Sequence, residues 1–374
     1  MDIKKQVVII GAGPIGLAMA ARLVESKISF LIIERGISVG ANILEWGDVQ
    51  LFTDWQESVD YRSYQLFKKF DASISLPSQN PTGKELTNDF LIGLSSVPPI
   101  KENLVLESTV TKIKYKSASS LFEVNYIQHG SERKIHSDIV IDASGTWNNL
   151  NTLGDHESKV DPFVYYGIPD KEMIAKEMNS GTIAVVGNGH SAMNSLMSLS
   201  AHSNAELLWI IRSQEPRMGK SKVGGKSDLL EELVSQLLQT SRVKLVNNFS
   251  IKSVEVEEGQ LNLRKNESSN LIEVDKLIIN AGAKPNYSFL DNIELRLDHK
   301  YQVAIPLSDR IDPSKHSCNT VSYTLDDTLL TDIPYYVVGM KSFGKASNFL
   351  LSSGYIILDH LQSHLLNHIV NDKV

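Results

Sequence analysis

Thiol chemistry is nearly absent from this sequence. Its 374 residues contain one cysteine, Cys318, so an intramolecular disulfide, a CxxC redox pair and a thiolate zinc cluster are all excluded. A long apolar run is missing too, since no stretch reaches the roughly 18 residues that span a bilayer. Nor is there an excess of positive charge: 37 basic against 44 acidic residues leave −7. Broad attraction to nucleic acid or to an anionic membrane is therefore not expected. These absences favour a cytoplasmic protein with small-molecule partners, and they are compatible with an oligomer. His360, His364 and His368 stand at helical spacing, but no HExxH-type carboxylate accompanies them. A polar stripe on a terminal helix explains them better than a metal, and no metal is expected.

What the sequence has instead is one pattern written twice. Residues 7–23 read VVIIGAGPIGLAMAARL: an apolar strand, a glycine turn and a helix opening at Pro14. Lys4, Lys5 and the small residues Ala18-Met19-Ala20 imitate a secretory leader. The recurrence at TIAVVGNGHSAMNSLMSLS argues for a retained structural element, because a leader has no reason to recur near residue 185. Each glycine turn is followed by a second strand, ISFLIIER or ELLWIIRS. A meander of alternating strands comes later, ending in VIDASG or IINAG. These elements predict an α/β protein with two Rossmann-like, three-layer ββα dinucleotide-binding domains. From Gly11 to Gly145 is 134 residues, but from Gly187 to Gly282 only 95. The first copy thus carries 39 more, mostly between Gly36 and Ile100, where turn formers and aromatics predict a loop-and-helix excursion.

The chemistry follows from the glycines. Gly11 permits the tight turn, Gly13 lets backbone approach a pyrophosphate, and Gly16 allows close helix–strand packing. The helix N-terminus adds N–H donors and partial positive charge. Glu34, followed by Arg35, ends the next strand, where a carboxylate can accept both ribose hydroxyls. The second turn, Gly187-Asn188-Gly189-His190-Ser191-Ala192, leads to a strand that ends in Arg212-Ser213 instead. Cation plus hydroxyl, with Arg217, Lys220, Lys222 and Lys226 behind them, favours a 2′-phosphate. Glu215 keeps NADH open as the alternative, and a solvated basic loop is the bland one. An acid-tailed and a basic-tailed site together imply FAD in the first and NADPH in the second, with hydride passing from nicotinamide to flavin.

GAGPIG…IIER, VIDASG, VVGNGHSA and IINAG together resemble the two-dinucleotide-binding-domain flavoproteins, which include thioredoxin reductases, disulfide reductases and flavin-containing monooxygenases. WGDVQLFTDW, VIDASGTW and VGMKSFGKASNFLLSSGY look like a bacterial group of flavin-dependent monooxygenases, some associated with arsenic-resistance genes. The resemblance implies a second domain inserted into the first, with residues 1–160 and 288–374 binding FAD and 161–287 binding NAD(P)H. It implies cofactor contacts at both Ala-Gly strand ends (Ala143, Gly145 and Gly282), an adenine contact at Val110, and a ribityl contact at Gly339.

Departures narrow the reading. The family's Gly-Asp pair is here Gly339-Met340, the turn cysteine of single-thiol reductases is Ile15, and the monooxygenase fingerprint FxGxxxHxxxY is not found, so neither branch's signature is complete. On the motif resemblance the favoured reading is a monooxygenase using O2 and a small substrate. The alternative is a reductase serving a quinone, disulfide or protein acceptor. Trp46, Phe52 and Trp55 are candidates for a dry substrate pocket, with core packing as the alternative. Asp54, Lys345 and His316 are candidate bases by neighbourhood only, no general base is assigned, and Cys318 is either an inert thiol or a lone redox one.

Overall fold

The computed structural model describes residues 3–153, 158–217, 226–265, 271–311, 323–346 and 349–371. His316, Cys318, Lys220 and Lys222 lie outside these. The chain divides into two compact units, residues 1–149 with 284–374, and residues 150–283. The divides fall after Asn149 and before Lys284, so residues 150–160 and 284–287 change sides relative to the sequence-based boundaries.

In the larger unit, β1 (Ile3–Ile10), β2 (Phe30–Ile33), β3 (Leu104–Val105), β4 (Ser108–Lys116), β5 (Leu121–Gln128) and β6 (Ser131–Asp142) form the main sheet. Its parallel part runs β3-β2-β1-β6 and ends on the strand Tyr335–Val337, which pairs with the last residues of β6. Val7, Val8 and Ile9 are fully buried, as expected for a central strand covered on both faces. The N-terminal half of β6 turns to antiparallel pairing with β5, and β5 with β4.

Residues 150–283 repeat the plan. Here β7 (Val164–Tyr166), β8 (Thr182–Val186), β9 (Glu206–Ile210), β10 (Val243–Val246) and β14 (Lys276–Ile279) stand in the order β10-β9-β8-β14-β7, all parallel. Between β10 and β14, β11 (Ile251–Glu257), β12 (Gln260–Lys265) and β13 (Leu271–Val274) make a separate antiparallel meander. The two parallel sheets correspond strand for strand. The outer place that Tyr335–Val337 fills from the far end of the chain is filled in the second unit by β7, which precedes its glycine turn.

The excursion after β2 is mostly short helices, the longest Tyr61–Phe70. Arg22, on the helix Pro14–Glu25, holds it down. Its guanidinium is 1% exposed, donates twice to Asp60 at 3.0 and 2.9 Å, and reaches Asp359 of the terminal helix through Nε at 3.0 Å. Such a bidentate pair gives direction as well as charge compensation. The terminal helix runs Leu351–Asn371, and Gly339–Phe343 forms a 3-10 turn before it. Lys226, read as part of a basic loop, opens the helix Lys226–Gln239. No described helix is long and apolar enough to cross a membrane.

Candidate functional site: two glycine turns and a buried charge network

The first glycine turn is shaped by what its glycines leave out. Gly11 has φ +95°, and a Cβ there would meet the Ala143 carbonyl oxygen at 2.8 Å. A Cβ on Gly16 would lie 2.0 Å from the Gly11 oxygen, so this helix can approach the turn only without a side chain. Gly13 differs: a Cβ there would meet nothing within 4 Å. It is the N-cap of the helix Pro14–Glu25, with Pro14 at the first helical position and no side chain capping the end. This helix N-terminus is thus uncapped beside open space, the arrangement that receives phosphate oxygens.

Glu34 stands beside this turn. One carboxylate oxygen accepts the Ala12 amide at 2.6 Å and the other accepts the Gly36 amide at 2.6 Å. A carboxylate has about four acceptor positions, so two remain for vicinal ribose hydroxyls. The exposed Arg35 follows. The start of β4 is tied to the same segment, with the Ser108 amide on the Glu34 carbonyl and the Glu107 amide on that of Gly36. Val110 follows Ser108 by two residues along β4. On these grounds the cradle fits an adenine dinucleotide.

The second turn repeats the geometry. Gly187 has φ +144°, and a Cβ there would lie 2.3 Å from the Asn280 oxygen. Gly189 caps the helix His190–His202, again with nothing within 4 Å of a Cβ and no capping side chain. The Asn280 amide bonds Val186 as the Ala143 amide bonds Ile10, so Ala143-Ser144-Gly145 corresponds to Asn280-Ala281-Gly282. Ser191 follows His190 in the first turn of this helix. His190 Nε2 lies 3.6 Å from Glu231. Burial holds its imidazole below the ordinary histidine range, only partly countered by the Glu231 charge. A depressed histidine stays neutral as pH falls until it is below its ordinary value, and the stability it contributes at higher pH is lost in that window. The His190 signal in a proton NMR titration is expected to shift midway below pH 6.5, and a midpoint above that would contradict its burial.

The loop after β9 amends one expectation. The Ser213 hydroxyl donates to the Glu215 carbonyl at 2.8 Å, so its proton is spent within the loop. Arg212 and Arg217 are exposed, and neither guanidinium has an ion-pair partner among the described residues.

The structure also shows a cluster that sequence reasoning missed. Lys341, two residues past Gly339, and Asp142, at the end of β6, are both fully buried and meet at 2.6 Å. Lys341 Nζ also donates to the Asn286 carbonyl at 2.6 Å and to Ser144 Oγ at 3.1 Å. All three ammonium protons are thereby used. The Tyr287 and Phe289 rings lie 4.7 Å from Nζ, adding cation–π contact. Asp142 further accepts the Tyr335 hydroxyl at 2.6 Å and both the amide and hydroxyl of Ser144. Burial, reinforced by Asp142, pushes the Tyr335 phenol well up. The network clamps Ala143-Ser144-Gly145 to the Gly339 turn. Gly339 needs its φ of +71°, with a Cβ only 3.1 Å from Ile15, and Met340 beside it is half-buried. The missing Gly-Asp aspartate thus has a charged successor on the next residue, facing inward. A readable signal existed: Asp in VIDASG ends an apolar strand with a charge, and Lys in VVGMK follows another by four residues.

The aromatic candidates separate. Trp55 is 2% exposed within the hydrophobic core, so it packs the interior and does not wall a pocket. Trp46 is partly buried and meets Trp147 edge-on at 6.3 Å, while Phe52 is half-buried. Asp54 is committed as a helix cap, accepting the Glu57 amide at 2.9 Å. Lys345 is exposed. His364 meets the Tyr336 hydroxyl at 3.0 Å, and no metal-binding group of three or more ligands occurs among the described residues.

Two glycine cradles on two corresponding parallel sheets define a class: a two-domain flavoprotein oxidoreductase. The model of the pyridine nucleotide-disulphide oxidoreductase family matches residues 8–310. The chain belongs to that family, and it is an FAD-dependent, pyridine-nucleotide-using oxidoreductase. No curated protein matches it by sequence. Among solved structures it is similar to bacillithiol disulfide reductase from Bacillus cereus, at 18% identity and TM-score 0.75, over 98% of this chain and 99% of that one. It is similar to ornithine N-hydroxylase from Kutzneria sp. 744, at 16% identity and TM-score 0.67, over 99% and 100%. Thioredoxin reductase from T. acidophilum also matches, at 16% and 0.63, over 98% and 100%.

Proposed function

We propose that the larger unit holds FAD on Gly11, Gly13, Pro14, Gly16, Glu34, Arg35, Val110, Ala143, Gly145, Gly339 and Met340. In this reading residues 150–283 hold NADPH on Gly187, Gly189, His190, Ser191, Arg212 and Gly282, and reduced flavin serves O2 to oxygenate a small substrate. When bound, the two cofactors supply hydride transfer from nicotinamide to flavin. The chain's own part is to bind and orient. Amides at Gly13 and Gly189 meet phosphates, Glu34 holds a ribose, and the Lys341–Asp142 clamp fixes the turns beside the flavin.

One observation carries the oxygenase reading over a thiol relay. The turn position where single-thiol reductases keep cysteine is Ile15, 6% exposed and packed against Gly339 and Gly354. No thiol stands at that position to take electrons from the flavin. The test is simultaneous measurement of NADPH oxidation, O2 uptake and peroxide release across candidate small substrates. Oxygen consumed in step with NADPH, with peroxide falling as substrate is added, supports oxygenation. NADPH oxidised only when a quinone or disulfide is supplied, without O2 uptake, overturns it in favour of the reductase that the family's name suggests.

Arg212→Ala tests the 2′-phosphate role. Losing one charge-assisted contact should raise the NADPH KM roughly tenfold to a hundredfold, with little change for NADH. Equal effects on both nucleotides would refute NADPH preference at this site.

A further inference from the structure

The second residue of a GxGxxA turn has no assigned task, since the glycines around it do the phosphate work. Here it is Asn188, and its side chain reaches across to the loop after β9. Its Nδ2 donates to Ser213 Oγ at 2.7 Å and to the Glu215 carbonyl at 3.2 Å, while its Oδ1 accepts the Arg217 amide at 2.7 Å. One amide therefore bonds three residues of a five-residue loop. The loop closes on itself through Ser213 Oγ on the Glu215 carbonyl at 2.8 Å. From its other side, the Asn248 amide bonds the Ser213 carbonyl at 2.9 Å, and Asn247 Nδ2 bonds that of Gln214 at 2.9 Å. The backbone from Ser213 to Arg217 is thus tied from two directions. At its two ends stand Arg212 and Arg217, both exposed and without an ion-pair partner among the described residues.

We propose that Asn188 is a specificity-determining positioning residue. It couples the phosphate-facing glycine turn to the arginine-bearing loop, so that a dinucleotide phosphate seated on the turn meets its 2′-phosphate at fixed cations. This rests on the reading of residues 150–283 as the NADPH site. Two guanidinium groups on an untied loop would lose side-chain and backbone freedom on each binding event. Held in place beforehand, they discriminate a ligand that has a 2′-phosphate from one that does not. Asn is suited to this because a single planar group offers an acceptor on one side and two donors on the other. Asp would lose both donors and set a negative charge beside the anion. Ser would not span the gap.

Titration calorimetry of the purified flavoprotein with 2′,5′-ADP and with 5′-AMP tests it, on wild type, Asn188→Ala, Ser213→Ala and the double variant. Thermal melts accompany each to confirm folding. In Asn188→Ala the ratio of the two affinities is expected to fall about tenfold, mostly through weaker 2′,5′-ADP binding. The double variant should lose less than the two single losses summed, because both remove one tie. An unchanged ratio in Asn188→Ala, with wild type clearly preferring 2′,5′-ADP, overturns the positioning role and leaves the NADPH reading standing. Equal loss for both ligands also overturns it, since that marks general damage to the turn. Wild type binding both ligands equally overturns the NADPH reading and the positioning role together.

Discussion

Gly13→Asp is expected to yield folded protein without flavin. Backbone at Gly13 is extended, with φ −77° and ψ −175°, a conformation open to any residue, and its Cβ would meet nothing within 4 Å. Folding should therefore tolerate a side chain. The space that tolerates it is the space the pyrophosphate needs, and a carboxylate there puts like charge against phosphate at a helix N-terminus. Gly16→Ala makes the contrast, because its Cβ at 2.0 Å from the Gly11 oxygen forces backbone to move and should reduce soluble yield outright. The checks are the flavin-to-protein absorbance ratio and the far-ultraviolet circular dichroism melt of each purified variant. Gly13→Asp retaining a full complement of FAD would mean that the pyrophosphate lies elsewhere.

Lys341→Met should destabilise the larger unit more than any surface change. It removes the only cation bonded to Asp142 among the described residues, and that carboxylate is 0% exposed. Breaking a buried pair from one side costs about 3–5 kcal/mol. For a unit of this size that is a Tm lower by about 10 °C. Asp142→Asn added to Lys341→Met should recover more than half of the loss. Placed on the Ser144 side, the neutral amide oxygen still accepts from the Ser144 amide and hydroxyl, its NH2 donates to the Tyr335 hydroxyl oxygen, and no charge is left stranded. A single variant melting with wild type would show that the pair contributes nothing, and a double variant no better than the single would show that packing, not charge, matters. Loss of flavin absorbance in step with the melt would tie the clamp to the cofactor turns.

The sequence made these turns legible because glycine positions are dictated by local sterics. Gly11, Gly16 and Gly187 each have backbone where a Cβ would go, and that requirement is written into a six-residue word. The paired sheets were legible for the same reason, as β1 and β8 end in the apolar runs Val7–Ile10 and Ile183–Val186, each bounded by one of those words. Short-edge strands were not. β3, β7 and β10 gain their hydrogen bonds from neighbours distant in the chain, and strands of two to four residues carry no signal of that. Lys341 and Asp142 were hidden for a related reason: 199 residues separate them, and only the β6 pairing with Tyr335–Val337 brings them together. Ser213 shows the opposite limit. Its residue type suggested a phosphate ligand, but a hydroxyl's partner is decided by the loop it closes.

The most direct measurement of the central claim is anaerobic titration of the purified protein with NADPH, followed at the visible flavin absorption. Bleaching complete at one NADPH per flavin, at lower concentration than NADH requires, is the predicted result. A bound flavin that stays oxidised with excess NADPH under nitrogen would contradict it.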